Sequence, residues 1–320
     1  MKIAILGFGT VGRGVAEILL KESTELTSKI EIKKILIREG RQEYYSKLLE
    51  ELSLSDLLNK NILTTNISDI INDKEISLVV ECMGGVNPAF LYVQKCLEIG
   101  KNVVTSNKML LAEKYDELIN NEKYKNKIKY ESSVGGGIHI FHSIDNIKKV
   151  DKIKSFTGII NGTTNYILSN MTENNDLEFE EVLKEAQELG FAEADSSSDI
   201  DGHDTCYKAV LLYNEIFDKK INAKNVEIEG IRNITKNDIL KAKEDNKVIK
   251  LIAYGDEQKV FVKPIAIEKN HYLALVNKNL NCILINSENL GNSAYIGEGA
   301  GKLSTAHGVV LDIIDFLKYK

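Results

Sequence analysis

Residues 2–12 read KIAILGFGTVG, and this stretch decides the fold of the first part of the chain. The apolar run predicts a buried strand, and three glycines follow it in the pattern G-x-G-x-x-G. Apolar residues then recur at helical spacing from residue 11 to residue 19. A strand, a glycine turn and a helix in this order are typical of a dinucleotide site, because helix amides face the pyrophosphate there. The alternative for an isolated pattern of this kind is a tight structural turn.

The residues assigned to this cofactor loop are Gly7, Phe8, Gly9, Thr10, Val11 and Gly12. The next predicted strand, residues 30–37 (IEIKKILI), ends at Arg38, where NAD enzymes commonly carry an acid for the ribose hydroxyls. A guanidinium suits a 2′-phosphate, so we expect NADP(H) to be preferred. Glu39 follows directly, and NAD(H) stays possible.

Strands and helices continue to alternate through the first 130 or so residues. The predicted strands are 77–85, 102–108 and 128–134, and the predicted helices are 90–99 and 110–119. This alternation predicts an α/β fold with a Rossmann-type doubly wound parallel sheet, whose ligands lie at the carboxyl ends of the strands. Met83, Ser106 and Lys108 lie at such ends, and we assign them to the cofactor site.

The pattern changes after Glu131, which predicts a domain boundary. We expect a nucleotide-binding domain of residues 1–131 completed by 290–320, and a second, α+β catalytic and dimerisation domain of residues 132–289. The segment 297–317, GEGAGKLSTAHGVVLDIIDFL, resembles a glycine loop that leads into a terminal helix. We expect this helix to fold back onto the first domain and Gly301 to contact the cofactor.

Residues 189–208, LGFAEADSSSDIDGHDTCYK, suggest the substrate. Asp201, Asp204 and Lys208 are three and four residues apart, so they would share one face of a helix and meet one small ligand. An isolated pair of this kind is usually a solvated helix face. Glu193, Asp195 and Asp199 crowd the preceding loop, however, and their repulsion is unfavourable unless water, the helix N-terminus or a cation offsets it. A ligand with an amino group would supply that cation.

Composition limits the remaining functions. No apolar run approaches the roughly 20 residues of a membrane span, and the chain opens on its first strand, so we expect a cytoplasmic protein. A net charge of −6 without a basic cluster predicts no nucleic-acid partner. Four scattered cysteines predict reduced thiols, with no zinc site and no disulfide framework.

At this point the chain resembles the homoserine dehydrogenase family, nearly from end to end. The stretches that carry the resemblance are GFGTVGRGV, VVTSNKMLLA, ESSVGGGI, GIINGTTNYIL, residues 189–208, and GEGAG followed by STA. The family catalyses the reversible NAD(P)-linked reduction of L-aspartate 4-semialdehyde to L-homoserine. This reaction leads to threonine, methionine and, in many organisms, isoleucine.

The resemblance also implies roles for individual residues. The catalytic group would be Lys208 as general acid and base, Asp204 as its partner, and Lys108 between nicotinamide and substrate. The substrate-binding residues would be Glu193, Asp199, Gly162 and Thr163. A monovalent cation, usually sodium, would be held by Glu131, Val134, Gly136 and Ile138. A homodimer is implied as well. Without the resemblance to the family, the sequence of residues 131–138 indicates only a glycine-rich hinge.

The chain departs from the family pattern at His139, Phe191, Ser196 and Glu298. It ends soon after residue 314, so we expect neither a C-terminal ACT domain nor threonine feedback through one. Two alternatives remain. Another Rossmann amino-acid dehydrogenase, such as an aspartate dehydrogenase, would share the cofactor loop but not the lysines and carboxylates. A non-catalytic NADP(H)-sensing protein would tolerate loss of Lys108 and Lys208, and both are present.

Overall fold

The computed structural model describes residues 1–21, 24–51, 61–174 and 176–318. The chain forms two compact units. The first comprises Met1–Gly137 and Gly301–Lys320, and the second comprises Ile138–Ala300.

Among the described residues of the first unit, six strands form one sheet: β1 (Lys2–Leu6), β2 (Glu31–Leu36), β3 (Leu63–Thr64), β4 (Ile76–Glu81), β5 (Asn102–Thr105) and β6 (Ile128–Lys129). The strand order is β3-β2-β1-β4-β5-β6, and every pairing is parallel. The order reverses direction between β1 and β4, and ligands bind at the carboxyl ends of strands at such a point. The predicted doubly wound sheet is therefore confirmed.

The helices between these strands are α1 (Thr10–Lys21), α2 (Gln42–Glu51), α3 (Ser68–Ile71), α4 (Ala89–Glu98), α5 (Lys108–Glu113) and α6 (Tyr115–Leu118). Alternate residues of β1 divide between two helix layers. Ile3 and Ile5 belong to the core cluster that contains α1, whereas Ala4 and Leu6 belong to the cluster that contains α4 and α5. A strand buried on both faces explains the continuous apolar run at the start of the sequence.

In the second unit, the described residues form another six-stranded sheet: β7 (Ile153–Ile159), β8 (Glu227–Ile228), β9 (Lys247–Asp256), β10 (Val260–Glu268), β11 (Leu280–Ser287) and β12 (Gly291–Glu298). The order is β12-β11-β7-β9-β10-β8, antiparallel except between β8 and β10. The helices are α7 (Ile140–Lys148), α8 (Gly162–Glu173), α9 (Phe179–Glu188), α10 (Ser197–Ile200), α11 (His203–Phe217) and α12 (Lys236–Glu244).

The last helix, α13 (Lys302–Lys318), returns to the first unit, as the sequence predicted. Val309, Val310 and Ile313 lie in the same core cluster as β1 and α1. α1 and α13 approach closely because Gly14 has no side chain. A Cβ there would lie 2.4 Å from the carbonyl oxygen of Lys302.

Substitution of Gly14 should therefore disrupt this helix pair. We expect Gly14→Val to destabilise the protein by about 2 kcal/mol or more, because the backbone of α13 would have to move. Gly9→Ala is the matched control, since nothing lies within 4 Å of a Cβ at Gly9. Chemical denaturation of both variants measures the difference, and equal midpoints would contradict the packing argument.

The structure differs from the sequence analysis at several element and unit boundaries. The strand expected over 128–134 ends at Lys129, and a 3-10 turn follows at Glu131–Ser133. The helix expected over 110–119 is two short helices that meet at Lys114. The units divide at 137/138 and 300/301, whereas the sequence placed the divisions at 131/132 and 289/290. The second shift arises because β12 pairs along its whole length with β11.

All four cysteines are free, and Cys96, Cys206 and Cys282 are buried. Burial raises the pKa of the Cys206 thiol to about 12. Within the described residues, no helix combines the length and the apolar content that a bilayer span requires.

Candidate active site

The glycine turn after β1 is built for close backbone approach. Gly7 has a left-handed φ of 92°, and a Cβ there would lie 2.8 Å from the Cys82 carbonyl oxygen. A Cβ at Gly12 would lie 2.3 Å from the Gly7 carbonyl oxygen, whereas a Cβ at Gly9 would point into open space. Gly7 and Gly12 thus allow the turn, and Gly9 leaves its backbone accessible to a phosphate. This geometry fits a dinucleotide cofactor.

A cavity of about 620 Å³ opens beside this turn. It is lined by residues of the glycine turn, of the end of β2, of the loops after β2, β3 and β4, and of α2 and α4: Gly7, Phe8, Gly9, Leu36, Ile37, Arg38, Glu39, Arg41, Tyr44, Tyr45, Thr65, Cys82, Met83, Gly84, Asn87, Pro88 and Tyr92. Five of the residues predicted to bind the cofactor are in this lining: Gly7, Phe8, Gly9, Arg38 and Met83.

The other predicted cofactor residues lie outside this lining. Thr10, Val11 and Gly12 form the first turn of α1, where amide groups precede the first intrahelical bond, from Arg13 N to Gly9 O at 3.0 Å. Ser106 and Lys108 follow β5, and Lys108 is the first residue of α5. Gly301 directly precedes α13.

Sequence reasoning missed a second arginine in the cavity wall. The Arg41 guanidinium lies over the ring of Tyr44, 5.5 Å from the centroid, and both residues line the cavity together with Arg38. Arg41 directly precedes α2, three residues after Arg38. A basic residue at that spacing after the second strand was a signal that could have identified it.

A buried carboxyl group joins the loop after β4 to the start of α5. Glu81 is fully buried, and its carboxyl oxygens accept from Met83 N at 2.7 Å and from Thr105 Oγ1 at 2.6 Å. Asn107 caps α5 and donates from Nδ2 to Gly85 O at 2.7 Å. Burial raises the pKa of Glu81, and the hydrogen bonds oppose that shift. This network, which sequence reasoning also missed, holds the Met83 loop and the turn bearing Lys108 together.

The second unit holds the predicted lysine and carboxylate cluster. Lys208 Nζ donates to Asp204 Oδ2 at 2.6 Å and to Ile160 O at 2.8 Å, and both charged side chains are buried. Asn161 Nδ2 donates to Asp199 Oδ1 at 2.6 Å and to Asp204 Oδ2 at 2.9 Å. The structure thus brings Asp199, Asp204 and Lys208 together, with two carboxylates to one ammonium.

Asn161 was not among the predicted site residues, yet it connects the cluster. Its Oδ1 accepts from Thr164 N at 2.8 Å and caps α8, which begins at Gly162. An asparagine directly before the sequence GTT is a helix N-cap signal, and it could have identified this residue.

The loop between α9 and α10, which carries Glu193, is attached to the start of α8, which carries Gly162 and Thr163. Thr163 Oγ1 donates to Phe191 O at 2.8 Å, and the Phe191 ring stacks on Tyr166 with centroids 4.6 Å apart. Gly162 packs against Asn279, since a Cβ there would lie 3.1 Å from its carbonyl oxygen. Glu193 is exposed on this loop.

The structure corrects one part of the sequence analysis. Asp201 does not share a helix face with Asp204 and Lys208, because Gly202, at a left-handed φ of 84°, precedes the start of α11. Asp201 instead accepts from Nε and Nη2 of Arg232, at 2.8 and 2.9 Å. The Arg232 guanidinium lowers the pKa of Asp201.

The residues predicted to hold a cation lie in one short stretch. Glu131 is 2% exposed, and its amide donates to Asp312 Oδ2 at 2.8 Å. Gly135 and Gly136 both have left-handed φ values, so the chain turns sharply after Val134. Ile138 is the first residue of the second unit. A buried carboxylate beside a turn of backbone carbonyls is a donor set that suits a hard cation.

A Rossmann-type unit with a dinucleotide cavity and a second unit with a buried ammonium among carboxylates define an NAD(P)-dependent oxidoreductase. Comparison with known proteins identifies the family of oxidoreductases to which the chain belongs. Residues 7–131 match the family model for the homoserine dehydrogenase NAD-binding domain, and residues 140–314 match the homoserine dehydrogenase model. The chain belongs to the homoserine dehydrogenase family.

Individual relatives agree with the family models. The homoserine dehydrogenase of Lactococcus lactis is 38% identical over 99% of this chain and 74% of its own length. The crystal structure of the Thiobacillus denitrificans enzyme superposes with a TM-score of 0.89 at 33% identity, over 98% of this chain and 72% of that one. A hyperthermophilic archaeal homoserine dehydrogenase in complex with NADPH superposes with a TM-score of 0.83 at 30% identity, over 100% of this chain and 98% of that one.

Proposed function

We propose that this chain catalyses the reversible NAD(P)H-dependent reduction of L-aspartate 4-semialdehyde to L-homoserine, in the synthesis of threonine and methionine. The observation that carries the proposal is the buried Lys208 ammonium, which Asp204 and the Ile160 carbonyl hold in place. An ammonium fixed in this way can stabilise negative charge on a carbonyl oxygen and then donate a proton to it.

The nicotinamide, when bound, supplies the hydride, and the protein supplies the proton and the electrostatic environment. In the direction of reduction, Lys208 Nζ donates a proton to the substrate oxygen as negative charge grows there. In the direction of oxidation, the neutral amine accepts the hydroxyl proton. Asp204 orients Nζ through its 2.6 Å hydrogen bond. We assign Lys108 to the boundary of cofactor and substrate, since it opens α5 at the carboxyl edge of the sheet.

The amino group of the substrate would bind beside the carboxylates of the cluster in the second unit. A substrate ammonium could form a charge-assisted hydrogen bond with the Asp199 carboxylate, which also accepts from Asn161 Nδ2. We assign Asp199 and Glu193 to the amino end of the substrate. Gly162 and Thr163, in the first turn of α8, would provide backbone contacts.

The test is oxidation of L-homoserine by the purified protein with NADP⁺ and with NAD⁺, followed through the absorbance of the reduced nicotinamide. Turnover with homoserine and none with L-aspartate would support the proposal. Turnover with L-aspartate instead would indicate the other class of amino-acid dehydrogenase. Binding of NADPH without turnover of either would indicate a sensing protein.

We further propose that NADP(H) is the preferred cofactor, with Arg38 and Arg41 at the 2′-phosphate. Arg38→Ala and Arg41→Ala should each weaken NADPH binding about tenfold, because a charge-assisted contact contributes roughly 1.5–3 kcal/mol. NADH binding should change little, since NADH lacks that phosphate. Fluorescence titration measures both dissociation constants, and Lys47→Ala, at an exposed ion pair on α2, is the control. Equal losses for the two cofactors would contradict the assignment.

We also propose a monovalent cation, such as sodium, at the Glu131 carboxylate and the carbonyls of Val134, Gly136 and Ile138. The burial of Glu131 supports it. Turnover in sodium chloride and in choline chloride at equal ionic strength tests the proposal. A rate independent of the cation would contradict it.

We also propose that two copies of the chain form a homodimer through the sheet of the second unit. Ile296 pairs with Cys282 across β11 and β12 and is 57% exposed, and Tyr272 and Leu275 are 66% and 73% exposed. Large apolar side chains exposed to solvent in this way are typical of a subunit interface. Light scattering coupled to gel filtration measures the assembly, and a monomer at micromolar concentration would contradict it.

A further inference from the structure

A lysine in the second unit is buried away from the candidate site. Lys250 lies in β9, is only 2% exposed, and is among the largest fully buried side chains of the chain. A lysine this deeply buried is usually paired with a carboxylate. Here every acceptor of Nζ among the described residues is a neutral oxygen.

Four oxygens surround the ammonium at closely similar distances. They are Asn165 Oδ1 at 2.9 Å, Ser169 Oγ at 3.0 Å, Val276 O at 2.7 Å and Asn277 Oδ1 at 2.9 Å. An ammonium has only three N–H groups, so one of them must be shared. The shell therefore surrounds the nitrogen as it would surround a spherical cation, and neutral oxygens are the ligands that alkali-ion sites use.

The charge state agrees with this geometry. Burial lowers the pKa of Lys250 to about 8, and the Glu173 carboxylate at the end of α8 opposes the shift by its charge. At pH 7 the side chain still carries its proton. A cation is thus held among neutral oxygens, and no carboxylate of the described residues is in hydrogen-bond contact with it.

We propose that these four oxygens form a monovalent-cation site, and that the Lys250 ammonium is the cation which permanently occupies it. Two of the ligands belong to α8 and two to the segment after Leu275, so the ion ties this helix to β9 and to that segment. Its role is to position α8, whose N-cap is Asn161.

The distances specify the class of ion that could replace the ammonium. Mg²⁺ requires oxygens at about 2.0–2.1 Å in octahedral geometry, and Ca²⁺ binds six to eight oxygens at about 2.3–2.6 Å, usually with carboxylates among them. The observed shell is wider and uncharged. Removing the lysine side chain should therefore leave a site for ammonium or potassium rather than for a divalent ion.

The test is rescue of Lys250→Ala by added ions. Thermal unfolding is followed at pH 7 in tetramethylammonium, potassium and ammonium chloride at one ionic strength. In tetramethylammonium chloride we expect the variant to melt at least about 5 °C below the native chain, because four acceptors, three of them on buried residues, lose their donor. Ammonium or potassium should restore half or more of this loss, with a saturable dependence on concentration.

Three controls isolate the site. The native chain gives the response to ions at any other site. Lys250→Met fills the space with an apolar side chain, and it should show no rescue. Lys247→Ala, at the exposed start of the same strand, should show no response specific to one ion. Equal melting of Lys250→Ala in all three salts would overturn the proposal.

A second pair of variants covers the case in which Lys250→Ala does not fold. Asn277→Asp places a carboxylate on the ammonium and should melt at or above the native temperature. Asn277→Leu removes a ligand of similar size and should melt below it. Equal melting of these two variants would also overturn the proposal. These readouts involve no substrate, so their failure is distinct from a failure of the proposed activity.

Discussion

Lys208→Ala should lower kcat by about 10³-fold, because it removes both the proton donor and the positive charge beside the substrate oxygen. The dissociation constant for NADPH should not change, since the dinucleotide cavity is lined by residues of the first unit. Steady-state kinetics and cofactor titration of the same sample measure the two effects.

Two further variants sharpen this experiment. Lys208→Arg keeps a positive charge but cannot release a proton near neutral pH, so its kcat should stay close to that of the alanine variant. Lys184→Ala, at an exposed lysine of α9, should be indistinguishable from the native chain. A loss of less than about tenfold in Lys208→Ala would rule out general acid catalysis by this residue.

The second large effect is expected at Asn161. Asn161→Leu removes the amide that donates to both Asp199 and Asp204, so the two carboxylates would lose the hydrogen-bond donor that bridges them. We expect kcat/KM for homoserine to fall about 100-fold, which corresponds to two lost charge-assisted hydrogen bonds of roughly 1.5 kcal/mol each. The variant should also lose about 1 kcal/mol of stability with the cap of α8.

Asn161→Asp separates the two roles. It keeps an acceptor for Thr164 N, and thus the cap, but replaces the bridging donor with a third carboxyl group. Its unfolding free energy should stay near the native value while kcat/KM falls. Activity should recover partly as the pH is lowered, because protonation of the added group restores a donor. A native kcat/KM in Asn161→Asp would show that Asn161 acts only as a cap.

The parts of the structure that the sequence predicted are those with strong local causes. The glycine turn was predictable because a left-handed φ at Gly7 and a close approach at Gly12 both exclude side chains. The buried strands were predictable because covering both faces of a parallel sheet requires a continuous apolar run. The pair Asp204 and Lys208 followed from helical spacing alone.

The parts that the sequence did not predict depend on distant partners or on local turns. Asp201 was placed on the wrong face because helical spacing was extended through Gly202, where the backbone is left-handed. The strand over 128–134 was overestimated because β6 lies at the edge of the sheet and has only β5 to pair with. Lys250 lies in the pattern VIKLI like an outward-facing strand residue, and its burial depends on ligands from two remote segments.

The return of α13 to the first unit has a consequence for how the chain is made. The residues of α13 pack into the core around β1 and α1, yet they are translated after the whole second unit. During synthesis the second unit can fold as soon as it emerges, whereas the first must wait with an incomplete core. The N-terminal segment is therefore the last part to mature, and a chaperone that shields its exposed β1 and α1 side chains would act before translation reaches α13.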